Sequence, residues 1–236
     1  MKFLEKYKKK KEKKKFLEKY NKFAVQEKIE IDWNKINVNR ISLINSAVRK
    51  VLKHKDSCKY LEIGCFNNFT FNSISLRTED KIGVDPNLGG NIKTNSDDFF
   101  KNNQNKFDII FIDGQHEYSQ CQRDVLNSIK FLYPNGFIFL HDLIPLNWKM
   151  EHVPRLQDDW NGDVWKVGYE LSKSSNLDFI IAMTDYGVGI VKNVKENYKY
   201  CYLNNHIKNH KFKNFLEIFD DLPKCEANTA YDFILN

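Results

Sequence analysis

The chain has 236 residues, of which 42% are hydrophobic and 14% are aromatic, enough for one domain with a substantial core. This composition excludes a mostly disordered chain, and no apolar run reaches the ~18–20 residues of a membrane span. The N-terminus lacks the apolar stretch of a secretory signal, and the five cysteines form no CxxC pair. We therefore expect a cytoplasmic protein without a disulfide framework or a zinc site.

The net charge of +6 is divided unevenly along the chain. Residues 1–22 hold 11 lysines and 3 glutamates, whereas residues 23–236 hold 26 Lys and Arg against 28 Asp and Glu. The folded body is therefore close to neutral, which disfavours nucleic acid as its partner. Residues 1–22 are predicted to form a solvated, partly helical lysine-rich arm, and contact of this arm with anionic lipid or nucleic acid is the alternative.

The predicted elements alternate between amphipathic helices and short apolar strands. In chain order they are helix 40–55, strand 58–64, helix 69–76, strand 81–85, a weak strand at 91–95, helix 96–104, strand 107–113, helix 119–133 and strand 136–142. Two further strands, 178–185 and 187–193, are so close in sequence that they must pair as an antiparallel hairpin. This order predicts an α/β fold with a Rossmann-like, doubly wound, mostly parallel sheet and a C-terminal antiparallel hairpin. Residues 23–193 form the predicted domain, and residues 194–236 an extension packed on it.

Small or polar residues end several of these strands. In open α/β sheets, ligands bind outside the carboxyl ends of the strands, at the point where the strand order reverses. Taken singly, Asp113 could end its strand in a turn with Gly114, and His141 could be a satisfied strand-end histidine. Together they are expected to converge on one crevice, which is lined by Glu62, Gly64, Asp85, Asp113, His141 and Asp142.

The ordered motifs resemble class I S-adenosylmethionine (SAM)-dependent methyltransferases. The resemblance is closest to the branch called methyltransferase family 24, which includes small-molecule and sugar O-methyltransferases. It rests on the segments LEIG, GVD, SDDFF, FDIIFIDGQHEY, GFIFLHD, WNGDVWKVGYEL and DYGVGIVK, and it covers roughly residues 40–193.

The resemblance implies a SAM site. Gly64 would let the backbone pass close to the methionine part of SAM, and Asp85 would accept the ribose hydroxyls. The family's second loop glycine is replaced by Asn68, a residue type that tolerates a left-handed backbone. The predicted cofactor-binding residues are Glu62, Gly64, Asn68, Asp85, Ser96, Asp97 and Asp113, with Ser96 and Asp97 near the adenine.

The predicted acceptor is a hydroxyl of a sugar or another small metabolite. The segment after strand 107–113 lacks the Asn/Asp-Pro-Pro-aromatic loop of similar amine methyltransferases, and no cysteine nucleophile follows at once. Two mechanisms stay open. Either His116 or His141 is the general base, or Asp113 and Asp142 hold Mg²⁺, for which a third ligand is not evident. The predicted catalytic residues are Asp113, His116, His141 and Asp142.

Residues 145–166 are predicted to form a lid over the acceptor, because aromatic faces beside polar groups suit carbohydrate rings. The predicted acceptor-binding residues are Trp148, Trp160, Asp163 and Trp165, and Asp163 is also expected to cap a helix from Val164. The alternatives to this function are a nucleic-acid methyltransferase guided by the arm and an inactive SAM-binding protein. The sequence also leaves a homo-oligomer open.

Overall fold

Seven strands form one mixed sheet in the structure, a computed structural model that describes residues 11–12 and 14–236. The strands are β1 (Tyr60–Ile63), β2 (Lys81–Val84), β3 (Phe107–Ile112), β4 (Leu132–Leu140), β5 (Asp178–Ala182), β6 (Val188–Lys192) and β7 (Lys224–Cys225). The α-helices are α1 (Arg40–Leu52), α2 (Phe69–Ser73), α3 (Ser96–Asn102), α4 (Tyr118–Lys130), α5 (Trp148–Glu151), α6 (Trp165–Lys173), α7 (Asn204–Ile207), α8 (Phe212–Ile218) and α9 (Ala227–Leu235).

The strand order is β2-β1-β3-β4-β6-β5-β7. Strands β1 to β4 pair in parallel, and β6 runs antiparallel to both of its neighbours, β4 and β5. This confirms the predicted mostly parallel sheet with a C-terminal antiparallel hairpin. The chain moves outward from β1 to β2 and then returns to the other side of β1 with β3. The strand order therefore reverses between β1 and β3, where a crevice is expected.

The largest differences from the predicted elements lie at the edges of strands. The weak strand at 91–95 is reduced to one parallel bridge between Val84 and Ile92. The helix predicted to reach residue 133 ends at Lys130, and β4 begins at Leu132. Residues 134–136 form an irregular part of this strand, where the register with β3 shifts, instead of separating the helix from the strand.

Both faces of the sheet are covered, which explains the continuous apolar run of β3. Ile109 and Phe111 face a core formed with α1 and α9, whereas Ile110 and Ile112 face a core formed with α4 and α6. On α1, Leu43 and Ile44 are buried against this sheet, whereas Leu52 at its end is exposed.

The segments before and after the predicted domain both pack against the rest of the chain. In the extension 194–236, β7 pairs with β5, and α8 buries Phe212 and Phe215. The predicted arm lies partly outside the described residues. From residue 14 to 20 the chain is helical, and Tyr20 packs against the ring of His152 with centroids 4.7 Å apart. No helix in the described part of the chain has the length and apolar character needed to cross a membrane.

Candidate active site

A cleft of about 890 Å³ opens at the carboxyl ends of β1, β3 and β4, beside the reversal of strand order. Most of the predicted site residues reach it. Those that line it are Glu62, Gly64, Asp85, Ser96, Asp113, His116, His141, Asp142 and Trp160. Those that lie elsewhere are Asn68, Asp97, Trp148, Asp163 and Trp165.

Gly64 allows the ends of β1 and β3 to approach each other. Its φ is +85°, and a Cβ atom at this position would lie 2.2 Å from the carbonyl oxygen of Asp113. A side chain is therefore excluded by both conformation and contact. The backbone N–H of Asp113 in turn donates to the Ile63 carbonyl at 2.8 Å, which fixes the two strand ends side by side.

Asn68 adopts the left-handed conformation that replaces the missing glycine, with φ of 64°. Its side-chain oxygen accepts a hydrogen bond from the Gly90 N–H at 2.7 Å, so this side chain braces the turn after β2. The prediction that asparagine keeps the loop turned is therefore confirmed. Its direct role in cofactor binding stays a prediction.

Asp85 holds two loops together at the end of β2. One carboxylate oxygen accepts the N–H groups of Cys65 and Phe66 at 3.1 and 2.9 Å, and the other accepts those of Asn87 and Leu88 at 2.8 and 3.0 Å. Burial alone would raise the pKa of Asp85, but these four donors hold it below its ordinary value. A ribose would have to share oxygen atoms that already brace the cleft.

The far end of the cleft contains polar side chains from α3 and α4. Ser96 accepts a hydrogen bond from Gln120 at 3.0 Å, and Gln120 also donates to the buried Asp124 at 3.1 Å. Burial raises the pKa of Asp124 to about 6. Gln120 and Asp124 were not predicted to belong to the site. Their spacing of four residues, which places both polar side chains on the same side of α4, could have indicated it. Asp97 is exposed and pairs with Arg123 instead.

The four predicted catalytic residues form one cluster. Asp113 Oδ1 lies 3.4 Å from His116 Nε2 and 3.3 Å from His141 Nδ1. Asp142 Oδ2 lies 3.2 Å from the Nδ1 atoms of both histidines. Two strand ends and the turn after β3 thus bring two carboxylates and two imidazoles into mutual contact.

The charges of this cluster stabilise one another. Burial lowers the pKa of His116, but Asp113 and Asp142 outweigh this effect and raise it to about 9. The same two carboxylates raise the pKa of His141 well above its ordinary value, against the effect of burial. The histidines in turn hold the pKa of Asp113 far below its usual range.

The segment before α6 orients the cluster from outside. The carbonyl of Trp160 lies 2.8 Å from His116 Nδ1, and the two rings stack with centroids 5.3 Å apart. Asn161 donates to Asp142 Oδ1 at 3.0 Å, and a Cβ on Gly162 would lie 1.7 Å from the His116 carbonyl oxygen. The WNG sequence therefore lies directly against this cluster.

Three atoms of the cluster could hold a metal ion. One ligand atom each from Asp113, His141 and Asp142 lies within 4.8 Å of the others. His141 Nδ1 is buried and forms no hydrogen bond with acceptable geometry among the described residues, although two carboxylates are within ion-pair distance. If this cluster held a metal ion, His141 would be the third ligand that the sequence did not reveal. Mixed oxygen and imidazole donors suit a transition-metal ion such as Mn²⁺ better than Mg²⁺, which prefers oxygen.

The structure corrects the prediction for three of the four lid residues. Trp148 and Trp165 are buried in the core, and the latter donates to Glu151 at 3.3 Å. Asp163 accepts the backbone N–H of Tyr118 at 2.7 Å, so it caps α4 instead of the helix that follows it in sequence. These side chains bind the lid segment to the domain, and of the four only Trp160 faces the cleft.

The start of α1 and the β5–β6 turn also line the cleft, and neither was predicted to do so. Arg40 lies at the start of α1, and its Nη1 atom donates to both carboxylate oxygens of Asp185 in the β5–β6 turn, at 3.0 and 2.8 Å. Asp185 and Tyr186 both line the cleft, with left-handed φ values of 48° and 62°. The DYG sequence reads as an ordinary hairpin turn, and nothing local indicates that it points into a site.

Comparisons with known proteins identify the segment that carries the cluster. A family model described as "Methyltransferase domain" matches residues 51–143. No curated protein sequence matches the chain.

Several solved structures are similar in shape at low identity. The O-methyltransferase TomG from Streptomyces achromogenes, in complex with SAM, is 11% identical over 68% of this chain and 82% of that chain, with a TM-score of 0.46. The methyltransferase PaMTH1 from Podospora anserina, bound to SAH, is 15% identical over 67% and 89%, with a TM-score of 0.45. An O-methyltransferase from Bacillus cereus in complex with SAH is 14% identical over 67% and 83%, with a TM-score of 0.43.

Proposed function

Because residues 51–143 belong to the methyltransferase family whose model they match, we propose that this chain transfers the methyl group of SAM to a hydroxyl of a small acceptor such as a sugar. The observation that carries the proposal is the cluster of two carboxylates and two imidazoles beside Gly64, where the strand order reverses. The cleft volume of about 890 Å³ also lies within the range of roughly 300–1,000 Å³ found for small-molecule sites.

We propose His116 as the general base. Its Nδ1 atom lies 2.8 Å from the Trp160 carbonyl, an oxygen that can only accept, so Nδ1 carries a proton. Nε2 can receive a proton in the neutral form of the ring, and the share of that form rises as the pH approaches the pKa of about 9. The His116 side chain is 23% exposed, whereas that of His141 is 8% exposed, so the former is more accessible to an acceptor hydroxyl. Asp113, next to Nε2, would stabilise the imidazolium that forms.

Asp113, His141 and Asp142 are the residues that would hold a divalent cation. When bound, such an ion lowers the pKa of an acceptor hydroxyl. Two of these ligands, Asp113 and Asp142, also face His116, so the base and the cation would act on the same hydroxyl. The two mechanisms that the sequence leaves open are therefore compatible in this geometry.

The first experiment is calorimetric titration of the protein with SAM and with S-adenosylhomocysteine (SAH), followed by an assay of SAH release with a panel of sugars and other hydroxyl acceptors. We expect both nucleosides to bind and at least one acceptor to be methylated. If neither nucleoside binds, the proposal is wrong. Binding without turnover would favour a SAM-binding protein that is inactive.

The base is tested by substituting His116→Gln, which we expect to lower kcat by roughly 10²–10⁴-fold because general base catalysis is lost. SAH affinity should stay within about twofold of the wild type, since the substitution leaves Gly64 and Asp85 unchanged. The matched control is Asp56→Asn, because this exposed carboxylate lies outside the cleft lining and was not predicted to bind the cofactor. A fully active His116→Gln variant would exclude His116 as the base.

The charge of the cleft disfavours the nucleic-acid alternative. Its four basic residues, Arg40, His116, His141 and Arg155, are outnumbered by carboxylates. The acidic residues that line it are Glu62, Asp85, Asp113, Asp124, Asp142, Asp158, Asp159 and Asp185. Phosphate groups would be repelled here.

The lysine-rich arm offers a separate test of this alternative. If the arm guides the protein to nucleic acid, the full-length protein should bind nucleic acid more tightly than a chain starting at Asn21, and its affinity should fall as the salt concentration rises. Equal affinities would exclude it.

A further inference from the structure

The N-terminal segment of the described chain packs against a histidine of the lid segment, residues 145–166. Residues 14–20 are helical, and Tyr20 at the end of this helix contacts the imidazole of His152 edge-on, with ring centroids 4.7 Å apart. Phe23 packs against the same imidazole with a centroid distance of 5.3 Å. The two aromatic rings therefore help to bury His152, which is only 2% exposed.

His152 is connected through Trp160 to His116, the proposed general base. The indole N–H of Trp160 donates to the His152 carbonyl at 2.8 Å. The Trp160 carbonyl lies 2.8 Å from His116 Nδ1, and the rings of these two residues stack with centroids 5.3 Å apart. A displacement of His152 would therefore move the residue that orients the imidazole of His116.

The contact with the N-terminal segment leaves one polar atom of His152 without a partner. Its Nδ1 atom lies 3.1 Å from the Pro154 carbonyl, which can only accept, so Nδ1 carries the proton. Its Nε2 atom is buried and forms no hydrogen bond with any described residue. An acceptor buried without a donor opposes the contact, whereas the packing of Tyr20 and Phe23 favours it. Because the two effects oppose each other, the loss of one ring should be enough to loosen the lid segment.

We propose that Tyr20 is a positioning residue: acting through His152, it holds Trp160 against His116 and keeps the lid segment over the acceptor end of the cleft. This inference rests on the proposed function, because it assigns Tyr20 a part in orienting the proposed base. The described lysines of the N-terminal helix are exposed, so this contribution comes from an aromatic ring and not from the charge of the helix.

The test is Tyr20→Ala in the full chain, with amide hydrogen exchange followed by NMR as the first readout. The N–H groups of Asn161 and Gly162 donate to the Met150 carbonyl at 3.0 and 2.9 Å, so their exchange reports how firmly the lid segment is held. We expect both amides to exchange at least about tenfold faster in the variant, because Tyr20 no longer opposes local opening. Amides of β3 should keep their wild-type rates. Tyr20→Phe retains the ring and should restore wild-type exchange.

The second readout is activity with an acceptor that the wild type methylates. In Tyr20→Ala, kcat per SAH-binding site should fall about 10–100-fold, because His116 is no longer held in place. The Kd for SAH should stay within about twofold of the wild type, because sites without shared partners act independently. The matched control is Lys15→Ala, an exposed residue on the same helix, which should change neither the exchange rates nor kcat.

Several outcomes would overturn the inference while the proposed function stands. These are wild-type exchange at Asn161 and Gly162 in Tyr20→Ala, equal effects of Tyr20→Ala and Tyr20→Phe, an equal acceleration in β3, and faster exchange with unchanged kcat. Failure of the wild type to bind SAH would instead contradict the proposed function. The exchange rates are measured without any ligand, so they would still show whether Tyr20 holds the lid segment.

Discussion

At the scale of single residues, Gly64 is the position where the cleft depends most directly on the absence of a side chain. In Gly64→Ala, the new Cβ would lie 2.2 Å from the Asp113 carbonyl oxygen, at a φ of +85° that alanine rarely adopts. The ends of β1 and β3 would have to separate, so we expect SAH affinity to fall at least about tenfold and stability to fall by roughly 1–3 kcal/mol. Calorimetry and thermal unfolding measure the two effects.

The matched control is Gly168→Ala on α6. Its Cβ would approach the ends of two side chains, Leu143 at 3.3 Å and Ile181 at 3.7 Å, and its φ is not left-handed. SAH affinity should therefore be retained. Wild-type SAH affinity in Gly64→Ala would show that the close approach of the two strands is not needed for the cofactor.

Single residues also mark the limit of prediction from the sequence. Asp113, His116, His141 and Asp142 could be predicted because each lies at or just beyond the end of a recognisable strand, and parallel strands bring their ends together. The sequence could not show that Trp160 and Trp165 differ in role, although Trp160 stacks on His116 and Trp165 is buried in the core. Their roles depend on how an irregular segment folds back, which no periodicity in the sequence specifies.

At the scale of elements, α6 joins α4 to the C-terminal extension through one buried carboxylate. Glu170 accepts hydrogen bonds from the Tyr118 hydroxyl at 2.8 Å, the Tyr200 hydroxyl at 2.7 Å and the Leu203 N–H at 2.7 Å. A buried charge is tolerated only when it is well hydrogen-bonded. The extension therefore contributes donors that the domain needs, although the sequence of residues 194–236 indicated no such role.

Removing one of these donors should destabilise the protein measurably. We expect Tyr200→Phe to lower the free energy of unfolding by about 1.5–3 kcal/mol, because a hydrogen bond to a buried charge is lost. Amide hydrogen exchange should also become faster in the segment that follows Tyr200. Chemical denaturation measures the first effect, and mass spectrometry measures the second.

The control for this substitution is Tyr202→Phe, because the Tyr202 side chain is exposed and lies next to Tyr200 in the structure. It should change the free energy of unfolding by less than about 0.5 kcal/mol. Equal effects of the two substitutions would mean that the bond to Glu170 does not tie the extension to the domain.

At the scale of the whole molecule, the sequence predicted the layered α/β architecture because strands and helices alternate with clear periods. It could not place α1 and the β5–β6 turn at the same cleft, since Arg40 and Asp185 are 145 residues apart. The contact arises from the order of the strands, in which β6 is inserted between β4 and β5. Such long-range placement is a property of the complete sheet and carries no local signal.

The pH dependence of global stability is another property of the whole fold, and Glu151 is expected to contribute to it. Glu151 is 1% exposed, and burial raises its pKa from an ordinary value of 4.5 to about 7, against the effects of Lys166 and Lys211. A group with a raised folded-state pKa contributes stability that is fully present below pH 4.5 and is lost as the pH rises through about 7.

The substitution Glu151→Gln replaces this carboxyl with an amide that remains uncharged at every pH. It should therefore match the wild type near pH 5 and exceed its free energy of unfolding by roughly 2–3 kcal/mol near pH 8.

Urea denaturation at the two pH values tests this expectation, with the exposed Glu196→Gln as the control. The control removes the same charge from the surface, so its effect should be small and nearly independent of pH. The decisive quantity is the difference between the two pH values, because it cancels any change in packing that the amide causes at both. If Glu151→Gln shifts stability equally at pH 5 and pH 8, the buried carboxyl does not titrate in this range, and Lys166 and Lys211 must keep it ionised.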